Sequence, residues 1–177
     1  KNILNSTDAL PQIIKNIKKA AGLPIISTIR YRQEQGKIRI RTVNLTEIER
    51  LGLFKLVIPL SDYTDIELSA RNINREVIRL AHAAKKRVIV SYHNFKFTPP
   101  DAKLRKLGDL CVKLGADVVK IACMAKTTDD AARLLELAHT FRKRPLAALT
   151  MGKWSGIARL AGYLFGSHLI YSYVGKP

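Results

Sequence analysis

Apolar residues recur at two spacings along the chain, and the spacing switches repeatedly. Leu10, Ile13, Ile14, Ile17, Ala20 and Ala21 stand three and four apart and stop at Gly22. That spacing predicts a helix with one buried face, opening at Ser6 or Thr7 with Asp8 in its first turn. Pro24-Ile25-Ile26-Ser27-Thr28-Ile29 then runs apolar and β-branched up to Arg30, as a short buried strand does. The run returns at Asp65–Leu68, Arg87–Tyr92, Asp117–Ala122, Pro145–Thr150 and His168–Tyr173, with helical, lysine-rich segments between. The expectation is therefore six strands spaced like βα units. Tyr31 to Leu60 is the least regular stretch. Arg30 to Gly36 reads as a loop, Lys37-Ile38-Arg39-Ile40-Arg41 alternates as a short strand or hairpin arm, and a helix follows from about Thr46.

Alternating helices and strands predict an α/β chain with a parallel sheet, either doubly wound or closed as a barrel. A doubly wound dinucleotide fold carries a Gly-x-Gly-x-x-Gly turn, and the chain contains neither that nor a Gly-Lys-Ser or Gly-Lys-Thr loop. Arg30, Glu67, His93, Lys120, Met151 and Ser172 stand on or just after strands. In a (β/α)8 barrel such C-terminal strand ends converge on one site, which favours the barrel.

Composition narrows the function classes. With 177 residues, 47% of them apolar and 25% charged, the chain reads as one ordinary globular domain and not as a disordered one. No apolar run reaches the length of a membrane span, and Lys1–Asp8 lacks the apolar core of a signal peptide, so the expectation is a cytoplasmic protein. Cys111 and Cys123 lie in apolar company with no zinc spacing, as buried core thiols do. The formal charge of +17 raises the question of nucleic acid. Its basic residues are spread over the whole length, without an RNA-binding aromatic motif or zinc-finger spacing, so no nucleic-acid partner is expected. A basic surface that steers an anionic substrate fits the same charge.

Two residues stand out chemically. Lys120 lies within Val118-Val119-Lys120-Ile121-Ala122, where a lysine has to be paired, snorkelling or functional. A lysine in such a strand loses the solvation of its charged form, which favours the free amine that attacks carbonyls. The structural alternative is an interior ion pair with Glu67 or Glu34. His93 follows the strand Val88 to Tyr92, where histidine is often structural. Facing one cavity, an amine nucleophile and a proton-transfer group are the equipment of Schiff-base catalysis. His82, His139 and His168 read as structural or surface residues, Glu67 as half of a structural ion pair, and Trp154 as rim or surface.

The segments Ser91-Tyr92-His93-Asn94-Phe95 with Thr98-Pro99, and Gly115 to Ala122 with Met124-Ala125, resemble those of type I 3-dehydroquinate dehydratase. So do Thr28-Ile29-Arg30 with Glu34, Asp65-Ile66-Glu67-Leu68, Met151-Gly152 with Arg159, and Phe165-Gly166-Ser167. The resemblance implies a (β/α)8 barrel lyase of the shikimate pathway that converts 3-dehydroquinate to 3-dehydroshikimate without metal or cofactor. It implies that Lys120 forms an imine with the substrate ketone. His93 would serve as general base and acid, a role suited to a residue type that titrates near neutral pH. Glu34 would orient His93, Arg30 and Arg159 would bind substrate charge, and Met151 would line the pocket. A homodimer is implied as well. Gln35 replaces the first glycine of the family's Glu-Gly-Gly, and Ala158 stands where a serine is usual.

Length bears on the same resemblance. Eight βα units typically take about 250 residues. The expectation is one barrel domain over 1–177, incomplete at both ends, without the family's first two strands and final helix. Two rival readings remain at this point: another Schiff-base barrel of the aldolase type, and a non-catalytic basic or inactive dehydratase-like protein that binds polyanions.

Overall fold

The computed structural model describes residues 9–31 and 45–172. The short strand or hairpin arm expected at Lys37–Arg41, the loop residue Glu34 and the start of the first helix lie outside them. The chain divides into two compact units, Lys1–Ile89 and Val90–Pro177, and the division falls within a strand.

The first unit opens with α1 (Ala9–Ala21), which ends at Gly22 with φ +64°. Next come β1 (Ile26–Thr28), α2 (Glu47–Val57), a single 3-10 turn over Ile58–Leu60, β2 (Tyr63–Glu67), α3 (Asn74–Ala83) and the first residues of β3 (Arg87–Asn94). Thr46, from about which a helix was expected, is the N-cap of α2. Its hydroxyl accepts the Glu49 N–H at 3.2 Å while the Glu49 carboxylate accepts the Thr46 N–H at 2.7 Å, a reciprocal capping box. Strands β1 and β2 run parallel, with Ile26, Ser27 and Thr28 opposite Tyr63, Thr64 and Asp65. Asp62 ties their entrance: its carboxylate accepts the Ile25 N–H at 2.9 Å and pairs with Lys18 at 2.9 Å. These bonds hold the Asp62 carboxyl below the usual carboxylate range, the backbone donor contributing most. Leu53, Phe54, Val57, Ile66, Val77, Ile78, Ala81 and Val88 form the core.

The second unit contains the rest of β3, α4 (Asp101–Leu114), β4 (Val118–Met124), α5 (Thr128–Thr140), β5 (Leu146–Met151) and α6 (Ser155–Leu164). Its strands lie in the order β3, β4, β5, and β4 and β5 pair parallel from Val119 opposite Leu146 to Met124 opposite Met151. Helix α4 ends at Gly115, whose φ of 111° is a left-handed cap that a side chain rarely allows. Six consecutive residues of β4, Val118 to Cys123, are buried. A strand covered on both faces reads as a continuous apolar run, and this is why Lys120 is conspicuous in it.

Two expectations need correction. Strand β3 continues to Asn94, so His93 stands on the strand and not after it. The strand stops there because the Asn94 side-chain oxygen accepts the N–H groups of Lys96 at 3.0 Å and Phe97 at 3.1 Å, turning the chain. The sixth strand expected at His168–Tyr173 does not form over the described residues 168–172. The His168 N–H does reach Leu146 O at 2.7 Å. The next ladder position is taken by a side chain, since Ser167 Oγ accepts the Ala148 N–H at 3.2 Å and caps the segment. Among the described residues, no helix is long and apolar enough to cross a membrane.

Both cysteines are buried thiols, as their apolar surroundings foretold. Burial pushes the Cys111 and Cys123 thiols up to about 12. An unfolded thiol ionises near about 8.5, so the folded state holds more protons between those values and loses stability as pH rises through that window. A thiol reagent at about pH 8 will therefore leave the folded chain unlabelled and modify two thiols per chain in denaturant. The melting temperature will fall progressively above about pH 9; rapid labelling without denaturant would contradict this burial.

Candidate active site

In the second unit the register of β4 and β5 sorts the side chains. Lys120, Ala122 and Met124 alternate onto one face, opposite Ala147, Leu149 and Met151. The other face, Ile121 and Cys123 with Ala148 and Thr150, is wholly buried. On the lysine face, burial relaxes towards the C-terminal strand ends: Lys120 is 4% exposed, whereas Met124 and Met151 are half-buried. Lys120 thus sits below a rim of two methionines. Its Nζ lies 4.0 Å from the centre of the Tyr171 ring, a cation–π contact with a residue far along the chain.

The rim is knitted by polar contacts. Thr98 Oγ1 donates to Met124 O at 3.0 Å, and the Ala125 N–H donates to Met151 O at 3.1 Å. Gly152 follows Met151 with φ +89°, and a Cβ there would meet Met124 Sδ at 2.8 Å and Ala125 O at 3.3 Å. His93 is half-buried on β3, its ring stacked on Phe95 at 6.0 Å between centres and 9° between planes. Arg159 is half-buried on α6, and among the described residues it makes no hydrogen bond or ion pair. Trp154, half-buried, stands at the N-terminal boundary of α6 without a side-chain cap, with Lys153 Nζ 4.7 Å from its ring centre. His82, His139 and His168, read as structural or surface residues, are exposed.

The first unit holds Arg30 in a charge cluster. Arg30 reaches Glu67 Oε1 at 3.1 Å and Asp65 Oδ2 at 3.4 Å. Arg50, from α2, reaches Glu67 Oε2 at 2.6 Å and Glu47 Oε1 at 2.7 Å. Glu67 is the structural ion-pair partner anticipated for it, and both its oxygens are engaged inside this unit.

Arg50 and Tyr171 escaped the sequence reading. A signal for Arg50 was present: with Leu53, Phe54 and Val57 it stands at the spacing of one helix face, so the buried stripe of α2 begins on an arginine. No comparable signal marks Tyr171, whose partner is brought to it only by folding. Glu34, expected to orient His93, lies outside the described residues.

Parallel strands alternating with helices, and a lysine buried in a strand just below its C-terminal rim, define an α/β class of protein with its chemistry at the C-terminal strand ends, the place where (β/α)-barrel enzymes carry their active sites. Comparison with known proteins specifies the family. The model of type I 3-dehydroquinase matches residues 2–177, and the chain belongs to that family. It is 38% identical over 164 residues to the 3-dehydroquinate dehydratase of Hydrogenobaculum sp., covering 91% of this chain and 70% of that one. It is also 38% identical over 156 residues to that of Aquifex aeolicus, covering 88% of this chain and 66% of that one. The structure of the Geobacillus kaustophilus 3-dehydroquinate dehydratase superposes with a TM-score of 0.84 at 29% identity, over 92% of this chain and 64% of that one. A type I 3-dehydroquinate dehydratase from Clostridium difficile, solved with covalently modified comenic acid, superposes with a TM-score of 0.82 at 27% identity, over 93% and 66%. The chain thus spans about two-thirds of the length of these relatives.

Gly152→Ala tests the rim. Positive φ and contact with Met124 together will cost about 1–3 kcal/mol, lowering the melting temperature by several degrees. Glycine is required here only if that loss is seen; a wild-type melting temperature would show that the loop after Met151 yields without strain.

Proposed function

We propose that the protein is a type I 3-dehydroquinate dehydratase, a lyase converting 3-dehydroquinate to 3-dehydroshikimate through a Schiff base on Lys120. The observation that carries this reading is the burial of Lys120 in the middle of β4, on the face that opens towards Met124 and Met151. The family membership and the covalently modified ligand of the Clostridium difficile relative support it.

The chemistry follows from what each residue can do. The Lys120 amine adds to the substrate ketone, and loss of water leaves a protonated imine. That imine draws electrons from the neighbouring carbon, so its proton becomes removable by a positioned base. The Tyr171 ring face attracts a cation at Nζ, ammonium or protonated imine alike. His93 takes the proton and returns it to the departing hydroxyl, and hydrolysis of the imine regenerates the lysine. Glu34 orients His93 in the manner of a base held by a third group. Arg159 and Arg30 hold substrate charge, for which a planar guanidinium fork is suited, and the half-buried Arg159 has its donors unengaged among the described residues. Met151 lines the pocket. The reaction takes place in the cytoplasm, in one barrel domain that pairs as a homodimer.

Borohydride reduction with 3-dehydroquinate decides the central step. The expected product is a stable adduct on Lys120, absent in Lys120→Met, with no turnover in that variant. His93→Ala will retain the adduct while turnover falls about 10²- to 10⁴-fold, the span of general acid–base catalysis. Absence of an adduct on wild-type Lys120 would overturn the mechanism and favour an aldolase-type or non-catalytic reading. Light scattering will give twice the chain mass if the homodimer is right.

A further inference from the structure

We propose that Arg50 is a positioning residue for substrate binding, acting through Glu67 and the backbone of Ile29 to hold Arg30 in place. This rests on the substrate-binding role of Arg30 proposed above. The contacts converge from three directions on residues 29 to 31. Arg50 Nε and Nη2 both donate to Ile29 O, at 3.0 and 2.7 Å, so the guanidinium grips the peptide entering Arg30. The same Nη2 donates to Glu67 Oε2 at 2.6 Å. The other oxygen of Glu67 accepts the Tyr31 N–H at 2.8 Å and Arg30 Nη1 at 3.1 Å. One arginine therefore fixes the peptide before Arg30 directly, and through one carboxylate fixes the Arg30 side chain and the peptide after it.

The arrangement is rigid. Arg50 is 1% exposed and Glu67 fully buried, so no water competes for these donors and acceptors. The Arg50 guanidinium also lies 5.1 Å from the Tyr31 ring centre and 5.9 Å from that of Phe54. Glu47, one turn earlier on α2, engages Nη1 at 2.7 Å and completes the orientation of the fork. Each of the three guanidinium nitrogens has an acceptor, a set that lysine with its single nitrogen cannot reproduce. Without Arg50, the second oxygen of Glu67 would be left buried and unpaired, and Arg30 would turn to satisfy both. A guanidinium drawn wholly onto an internal carboxylate is misplaced for an external anion. The expected consequence is weaker substrate binding with the chemical step largely kept.

The test is steady-state kinetics with 3-dehydroquinate on wild type, Arg50→Lys, and a double variant, Arg50→Met with Glu67→Met. The double variant removes both buried charges together and so guards against simple unfolding. Both are expected to raise KM at least tenfold while kcat falls less than threefold, in protein that still melts cooperatively. Arg30→Ala is then combined with Arg50→Lys. If Arg50 acts through Arg30, the two effects on KM will fall well short of multiplying. Unchanged KM in the folded Arg50 variants, a loss confined to kcat, or KM effects that multiply would each overturn the proposal. Wild type is run with borohydride trapping alongside. No turnover and no Lys120 adduct in wild type would bring down the functional reading and this inference together, whereas an active wild type with normal Arg50 variants would remove the inference alone.

Discussion

A parallel strand covered on both faces offers no water to an ionisable group, and that constraint governs where charge stands in both units. Burying an unpaired ammonium or carboxylate is costly, so each buried charge has to find a partner of matching chemistry or be neutral. The two units meet the constraint differently. Glu67 is surrounded by cation and N–H donors until both oxygens are used. Lys120 has its Nζ 4.0 Å from the centre of the Tyr171 ring, an aromatic face that attracts a cation.

The placement of Lys120 along its strand has a second consequence. Below it β4 is sealed, and above it Met124 and Met151 are half-buried on the same face. The lysine therefore lies where burial gives way to access. Methionine is a flexible, polarisable apolar side chain, so the two at this rim can adapt to what packs against them. The backbone around the rim is held by Thr98 and by the Ala125 to Met151 hydrogen bond, so side-chain flexibility is set on a fixed frame.

The parallel α/β class was legible because its cause is local: helical spacing and short apolar runs alternate from Asp65 to Met151. Strand boundaries moved by at most two residues, as where Asn94 ends β3. The one strand that failed, 168–172, has the right apolar residues. It fails because Ser167 occupies a ladder position, and a hydroxyl one residue before an apolar run is a feature that periodicity does not register. Lys120 and His93 were legible as chemical candidates from their strand context, and Glu67 as an ion-pair member. Its partners were not. Lys120 was offered Glu67 or Glu34 as a structural partner; Glu67 proves to be shared between Arg30 and Arg50, and Glu34 lies outside the described residues.

What the sequence by itself determined is the kind of element at each stretch and the oddity of a lysine within an apolar run. Both follow from hydrophobic spacing, which is a property of neighbours in the chain. Tertiary structure alone decided which groups meet: Tyr171 over Lys120, Arg50 between Ile29 and Glu67, Gly152 against Met124. Those pairings join residues separated by whole elements, and their distances are set by how strands register and helices pack. No pattern along the chain encodes them one residue at a time. Arg50 shows where the line falls, since its place on a buried helical stripe was written in the sequence while the carboxylate and carbonyl that make that place tolerable were supplied by β2 and the segment after β1.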